Sequence, residues 1–172
     1  MHTKKRPETH ESSDYFKTYT RKVEGSDALQ TLIDAQSTTT DFLKNLSEAQ
    51  WNHRYEAGKW SIKEVLLHIL DTERVFAYRA LRVARNDQTQ LPGFDQDDYF
   101  PYIYADSRST ESIIEEYNTI RSATITLFKN MNDEGLSFIG TASDNPFSAR
   151  AAMFIIAGHE IHHLNIIKER YL

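Results

Sequence analysis

The sequence contains no cysteine among its 172 residues. This absence excludes disulfide bonds, thiolate metal ligands and a cysteine nucleophile, and it leaves histidine and carboxylate side chains as the strong metal ligands. Glycine and proline are scarce, with six and four residues, which excludes collagen-like and low-complexity chains. The longest apolar run, residues 151–158, is far shorter than the roughly 20 residues that a membrane-spanning helix needs.

The chain also lacks a large excess of charge of one sign. It has 20 Lys and Arg residues against 25 Asp and Glu residues, for a formal net charge of -5. Because no strong positive field draws it to phosphate groups, we expect neither a nucleic-acid partner nor a membrane partner. The first seven residues show no apolar segment behind their positive charges, as a secretion signal would require. We therefore expect a cytoplasmic protein.

The length predicts one domain with a sizeable core. Residues 1–25 are polar and predict an N-terminal tail, partly docked through its aromatic side chains, and residues 26–172 predict the folded domain. Apolar residues recur at helical spacing in four segments, which begin near residues 26, 61, 109 and 148. No strand pattern is evident. We expect an all-α fold, a four-helix bundle with a long crossover, residues 86–108, between the second and third helices.

Two helix starts are marked by capping signals. Ser61 followed by Glu64 forms a capping box, in which each side chain accepts a hydrogen bond from the other residue's backbone N–H. This pattern predicts that the second helix begins at Ser61, and it runs to about Ala84. Ser148 can cap the fourth helix in the same way.

Histidines occur at helical spacing on apolar faces. His159 and His163 are four residues apart in the fourth helix, which places them about 40° apart on the same side, and His68 lies on the apolar face of the second helix. A single histidine on an apolar face is more often a hydrogen-bonded core residue than a ligand. Three that converge in a bundle core favour a divalent metal site, because facing helices bring such side chains together.

Residues 159–163 also match the H-E-x-x-H pattern of zinc proteases, in which Glu160 would be the general base. The extended pattern of one such class needs Gly at position 166 and His at position 169, where this chain has Ile166 and Glu169. A protease of this type usually takes its third ligand from downstream, and few residues follow His163. The protease interpretation is therefore the weaker one.

Residues 59–73 (KWSIKEVLLHILDTE) and 158–163 (GHEIHH) resemble the DinB-like family, in the right order and over a region from about residue 26 to 172. The resemblance implies a four-helix bundle with a long second-to-third crossover, often dimeric. It also implies a metal held by His68 from the second helix and by His159 and His163 from the fourth. Relatives in this family include thiol S-transferases, maleylpyruvate isomerases and proteins labelled as metal-dependent hydrolases.

Three functions stay open at this point. The first is a transferase that uses a divalent metal to activate a low-molecular-weight thiol, with that thiol and an electrophile as its small-molecule partners. The second is a metal-dependent hydrolase, and the third is a non-enzymatic metal-binding or stress-related protein. Zinc or nickel is the expected ion, and manganese or iron would also accept imidazole ligands. The candidate catalytic residues are Asp71, Glu160 and Arg79, with Glu64 as a further neighbour of His68.

Overall fold

The computed structural model describes residues 5–172, and residues 1–4 of the expected tail lie outside the described part of the chain. Helices dominate the described residues, and one short hairpin interrupts them. The elements are α1 (Asp14–Thr20), α2 (Ala28–Lys44), α3 (Glu48–Trp51), α4 (Ile62–Ala84), α5 (Gln96–Tyr99), α6 (Thr110–Lys129), α7 (Asp133–Ser137), β1 (Ile139–Ala142), β2 (Asn145–Ser148) and α8 (Ala149–Arg170).

The four long helices α2, α4, α6 and α8 form the bundle. Helix α4 packs against α6 and α8, and α2 packs against the same two helices. The prediction of a four-helix bundle with a long connection between its second and third helices is confirmed. None of the helices in residues 5–172 combines the length and apolar character that a membrane crossing requires.

The predicted capping signals set the starts of the two helices that carry the histidines. The Ser61 side chain accepts a hydrogen bond from the Glu64 backbone, and Glu64 accepts one from the Ser61 backbone, so the capping box is confirmed and α4 begins at Ile62. The Ser148 hydroxyl accepts a hydrogen bond of 2.9 Å from the Ala151 N–H at the start of α8. These caps satisfy N–H groups that have no partner within a helix.

The connection before α8 differs from the prediction, because β1 and β2 pair as an antiparallel hairpin. The turn between them places Ser143 and Asp144 at φ values of 51° and 61°. These left-handed values suit the tight turn of a hairpin, but the residue pair lacks the glycine that usually marks such a turn. Two strands of four residues, one of them containing Pro146, are too short for an alternating pattern to stand out in the sequence.

The N-terminal segment, residues 5–27, packs along α8. Arg6 donates hydrogen bonds to the carbonyl oxygens of Thr20 and Val23, at 2.6 and 2.8 Å. The Ser148 hydroxyl donates to the Glu11 carboxylate at 2.6 Å, which ties the segment to the residue that caps the start of α8. The described part of the expected tail is therefore docked, and it contains helix α1.

A buried polar network joins all four long helices. The Arg121 guanidinium on α6 donates to both carboxylate oxygens of Glu73 on α4, at 3.0 and 2.7 Å. It also lies 2.7 Å from a carboxylate oxygen of Glu160 on α8. Glu160 accepts hydrogen bonds from Tyr117 on α6 and Thr39 on α2. Arg121 and both carboxylates are buried, so water compensates none of these charges. The single positive charge of Arg121 therefore has to compensate two negative ones.

Replacement of Arg121 by methionine would leave both of its carboxylate partners without a compensating charge in the bundle core. We expect Arg121→Met to lower the free energy of unfolding by about 3–5 kcal/mol, the usual cost of breaking a buried ion pair. The matched control is Arg74→Met, because Arg74 is half-exposed in its ion pair with Glu116 and such pairs contribute at most about 1 kcal/mol. Urea denaturation of both variants measures the difference, and equal losses would contradict the account.

Candidate metal centre

The three predicted histidines meet between α4 and α8. The Nε2 atom of His159 lies 3.1 Å from Nε2 of His68 and 3.0 Å from Nε2 of His163. One ring nitrogen from each histidine falls within 4.8 Å of the others. His68 and His159 are buried and His163 is half-buried. The fold thus places two residues from one helix and one from another around a single small gap.

Neighbouring aromatic rings contact two of the three imidazoles and limit their orientation. The Trp60 ring lies 5.2 Å from the His68 ring, measured between centroids. The Tyr19 ring meets His159 edge-on at 5.3 Å. Side chains held in this way lose little further freedom when they bind a ligand, which favours binding.

Burial keeps the histidines neutral. It lowers the pKa of His68 to about 4. Burial, together with the charge of neighbouring histidines, lowers the pKa of His163 to about 3 and that of His159 well below its usual value. Neutral imidazole is the form that binds a metal ion, so at neutral pH no proton has to leave these rings before an ion binds.

The contacts among the three rings bring their donor nitrogens close enough to share one cation. A ring nitrogen carries either one N–H or one lone pair in the ring plane, and it can serve one partner well. His159 Nε2 nevertheless has two ring nitrogens within about 3 Å. Two nitrogens that bind the same tetrahedral zinc ion at about 2.0–2.1 Å are about 3.4 Å apart. The two short nitrogen–nitrogen distances, 3.0 and 3.1 Å, are a few tenths of an ångström below that value, so a small shift of the rings would admit an ion.

A cavity of about 470 Å³ adjoins the cluster, and His68 and His159 form part of its wall. The rest of the wall mixes polar side chains with aromatic ones, which include Phe16 and Tyr19 from the N-terminal segment and Phe94 from the crossover. A small molecule in this cavity can therefore reach the space between the three ring nitrogens, which we call the nitrogen gap. Access of this kind is typical of a catalytic metal site and not of a closed structural one.

Helix α1 forms its side of the cavity through an unusually close approach to α8. A Cβ atom added at Gly158 would lie 2.0 Å from the carbonyl oxygen of Tyr19. Only glycine permits this distance, and Gly158 directly precedes His159 in the sequence. The position of the cavity wall thus depends on one residue next to a candidate ligand.

The candidate catalytic residues lie in different places. The Glu160 carboxylate belongs to the buried network with Arg121 and Tyr117, and Glu64 accepts hydrogen bonds from the Ser61 N–H and from Arg54. Asp71 lines a small cleft beside His68. Burial raises the pKa of Asp71, and its carboxylate lies 3.8 Å from Arg74.

Arg79 lies in the wall of the cavity that contains the histidines. Both Arg79 and His68 line this cavity, so the structure brings this candidate catalytic residue into the same space as the histidines. The reasoning from sequence missed Tyr19 and Phe94 as site residues. Both lie outside the four periodic segments, where no spacing rule connects a side chain with a distant helix.

Comparisons with known proteins agree with the fold. The model of the DinB superfamily matches residues 31–167. A protein of Oceanobacillus iheyensis, provisionally named a metal-dependent hydrolase, is 27% identical over 130 residues, which cover 73% of each chain. The solved structure of YfiT from Bacillus subtilis, described as a probable metal-dependent hydrolase with an unusual four-helix bundle topology, aligns with a TM-score of 0.73. It shares 13% identity over 95% of this chain and 90% of its own.

The contact at Gly158 can be tested by Gly158→Ala. Helix propensity alone predicts that alanine stabilises α8 by about 1 kcal/mol. The clash with the Tyr19 carbonyl predicts the opposite sign, a loss of about 1–3 kcal/mol in the free energy of unfolding, because backbone must move. Gly93→Ala is the control, since its new Cβ would meet its nearest neighbour at 3.5 Å. A more stable Gly158→Ala variant in urea denaturation would show that α1 does not pack in this way.

The ligand set can be tested by equilibrium dialysis against Zn²⁺ followed by elemental analysis. We expect one ion per chain in the wild type and loss of that ion in His68→Ala, His159→Ala and His163→Ala, because two imidazoles hold zinc much more weakly than three. His162→Ala is the matched control, since His162 is adjacent in sequence but lies outside the cluster. Unchanged metal content in any of the three variants would remove that residue from the ligand set.

Proposed function

Because the chain belongs to the DinB superfamily, we propose that its three histidines hold a divalent metal ion, zinc or nickel, and that the protein is a metal-dependent enzyme. We further propose that it is a thiol S-transferase, which joins a low-molecular-weight thiol to a small electrophile. The observation that carries the proposal is the open cavity beside His68 and His159, whose wall leaves room for a substrate next to the nitrogen gap.

A divalent ion in this position would lower the pKa of a thiol or water ligand, so that the nucleophile forms near neutral pH. The chain itself supplies three neutral donors, two of which, His68 and His159, are contacted by the rings of Trp60 and Tyr19. The aromatic side chains in the cavity wall, among them Phe16, Phe76 and Phe94, supply apolar surface for the body of a substrate.

The positions of the carboxylates favour a thiol over water as the nucleophile. Glu160, the base of the H-E-x-x-H pattern, is occupied by Arg121, Thr39 and Tyr117 in the bundle core. Asp95 is the one carboxylate residue in the wall of the large cavity, and its side chain caps the start of α5. Hydrolysis usually needs a carboxylate base to direct water, whereas a thiol on a metal ion loses its proton without one.

A metal-dependent hydrolase is the second candidate, and Asp71 is the observation that favours it. This carboxyl group is half-buried beside His68 in the adjacent cleft, and burial raises its pKa, as a general base requires. The names of the Oceanobacillus and Bacillus proteins point to the same reaction class. A non-enzymatic role is less well supported, because a purely structural ion would not need access to a cavity of this size.

One pair of assays separates the two reactions. The zinc-loaded and nickel-loaded proteins are incubated with glutathione, bacillithiol or mycothiol and a fluorogenic bimane electrophile, and separately with an activated aryl ester. We expect thiol conjugation that His68→Ala abolishes and that Asp71→Asn leaves nearly unchanged. Conjugation that does not depend on His68 would contradict the proposal. Ester hydrolysis that falls about 10²–10⁴-fold in Asp71→Asn, the usual contribution of a general base, would establish the hydrolase instead.

A further inference from the structure

Arg79 is a buried cation with no acidic partner. Its residue is 3% exposed, and no carboxylate in residues 5–172 lies within ion-pairing distance of it. Burial without a partner lowers the pKa of its guanidinium. A buried charge of this kind is costly to the folded protein unless something compensates it.

The guanidinium is held in place by neutral groups. Its Nη2 atom donates to the Pro92 carbonyl oxygen at 2.6 Å and to the Ser143 hydroxyl at 3.1 Å. The rings of Phe76 and Phe94 lie 5.1 and 5.6 Å from the guanidinium carbon. No hydrogen bond from Nε or Nη1 to residues 5–172 is formed. Arg79 is therefore rigid, and part of its donor capacity remains for a ligand.

Arg79 shares one face of α4 with His68. Residues 68, 72 and 79 fall within about 40° of one another around the helix, and the first and last are about 16 Å apart along its axis. All three line the cavity of about 470 Å³. Thr72 lies between the other two, and its buried hydroxyl has no hydrogen-bond partner in the described part of the chain. Unpaired buried hydroxyl groups are rare and often mark a place that a ligand or water completes.

We propose that the cavity binds a small carboxylate-bearing molecule, with its carboxylate on Arg79 and its reacting end at the three histidines. The inference rests on the proposed function, because it assigns a substrate class to the same site. Phe16, Phe76 and Phe94 would contact the apolar body of that molecule between the two ends. Within a helix side chains lean towards the N-terminus, so the Arg79 side chain extends towards the histidines.

The charge of the wall favours one negative charge over two. Apart from the histidines, Arg79 and Asp95 are the charged residues that line the cavity. A single guanidinium compensates one carboxylate, whereas the second negative charge of a phosphate monoester would have no cationic side chain to compensate it at this end of the cavity. The carboxylate can belong to the thiol or to the electrophile, since either molecule must pass through this space.

Calorimetric binding of matched acids and amides tests the proposal without any assay of activity. The probes are benzoate, phenylacetate and hydrocinnamate, each compared with its neutral amide on the zinc-loaded protein. We expect at least one acid to bind about tenfold or more tightly than its amide, a difference of about 1.4 kcal/mol. Arg79→Gln should abolish that preference. Arg74→Gln, the same change on an exposed part of α4, should retain it.

Removal of the metal with a chelator separates this proposal from the proposed function. A preference due to Arg79 persists in the metal-free wild type, whereas a preference due to coordination of the carboxylate by the ion is lost. Equal affinities of acids and amides for the wild type, including no measurable binding of either, would overturn the proposal. A preference that survives in folded Arg79→Gln protein would also overturn it. Comparison of carboxylate-bearing and carboxylate-free thiols and electrophiles then identifies which substrate carries the group.

Discussion

The packing of α4 against α8 brings three imidazole nitrogens to within 4.8 Å of one another, and every functional conclusion depends on this contact. Burial keeps the rings neutral, and a neutral imidazole offers a lone pair on one ring nitrogen to a cation. Three such nitrogens close together therefore favour the binding of a positive ion. The rest of the bundle supplies the packing that holds the rings in place.

The bundle separates two kinds of buried polar chemistry on neighbouring residues of α8. His159 faces the cavity and the other histidines, whereas the next residue, Glu160, belongs to the network that joins all four long helices through Arg121. Successive side chains along a helix point about 100° apart. Neighbouring residues in one turn of α8 can therefore face the cavity and the polar network respectively. The H-E-x-x-H pattern in this chain thus combines the two histidines of the proposed metal site with a carboxylate that belongs to the network in the bundle core.

Much of the bundle and of the histidine cluster could be predicted from the sequence, because capping and helical spacing are patterns among residues close together in the chain. The capping box at Ser61 and the helical spacing of apolar residues predicted the bundle, and the spacing of His159 and His163 predicted that both rings share one face. The carboxylate network could not be predicted, because Arg121 is a charged residue in an amphipathic helix, which normally predicts exposure. The same holds for the hairpin, whose turn at Ser143 and Asp144 carries a weak sequence signal, and for Phe94, which reaches the cavity from an aperiodic crossover.

The central claim is that one divalent ion binds all three imidazoles at once. X-ray absorption spectroscopy of the zinc-loaded protein measures this directly, because scattering from imidazole rings is distinct from that of single oxygen ligands. The account predicts three imidazole nitrogens at about 2.0–2.1 Å from zinc, with the remaining coordination completed by an oxygen ligand such as water or by an added thiol. A spectrum with two or fewer imidazoles would contradict it.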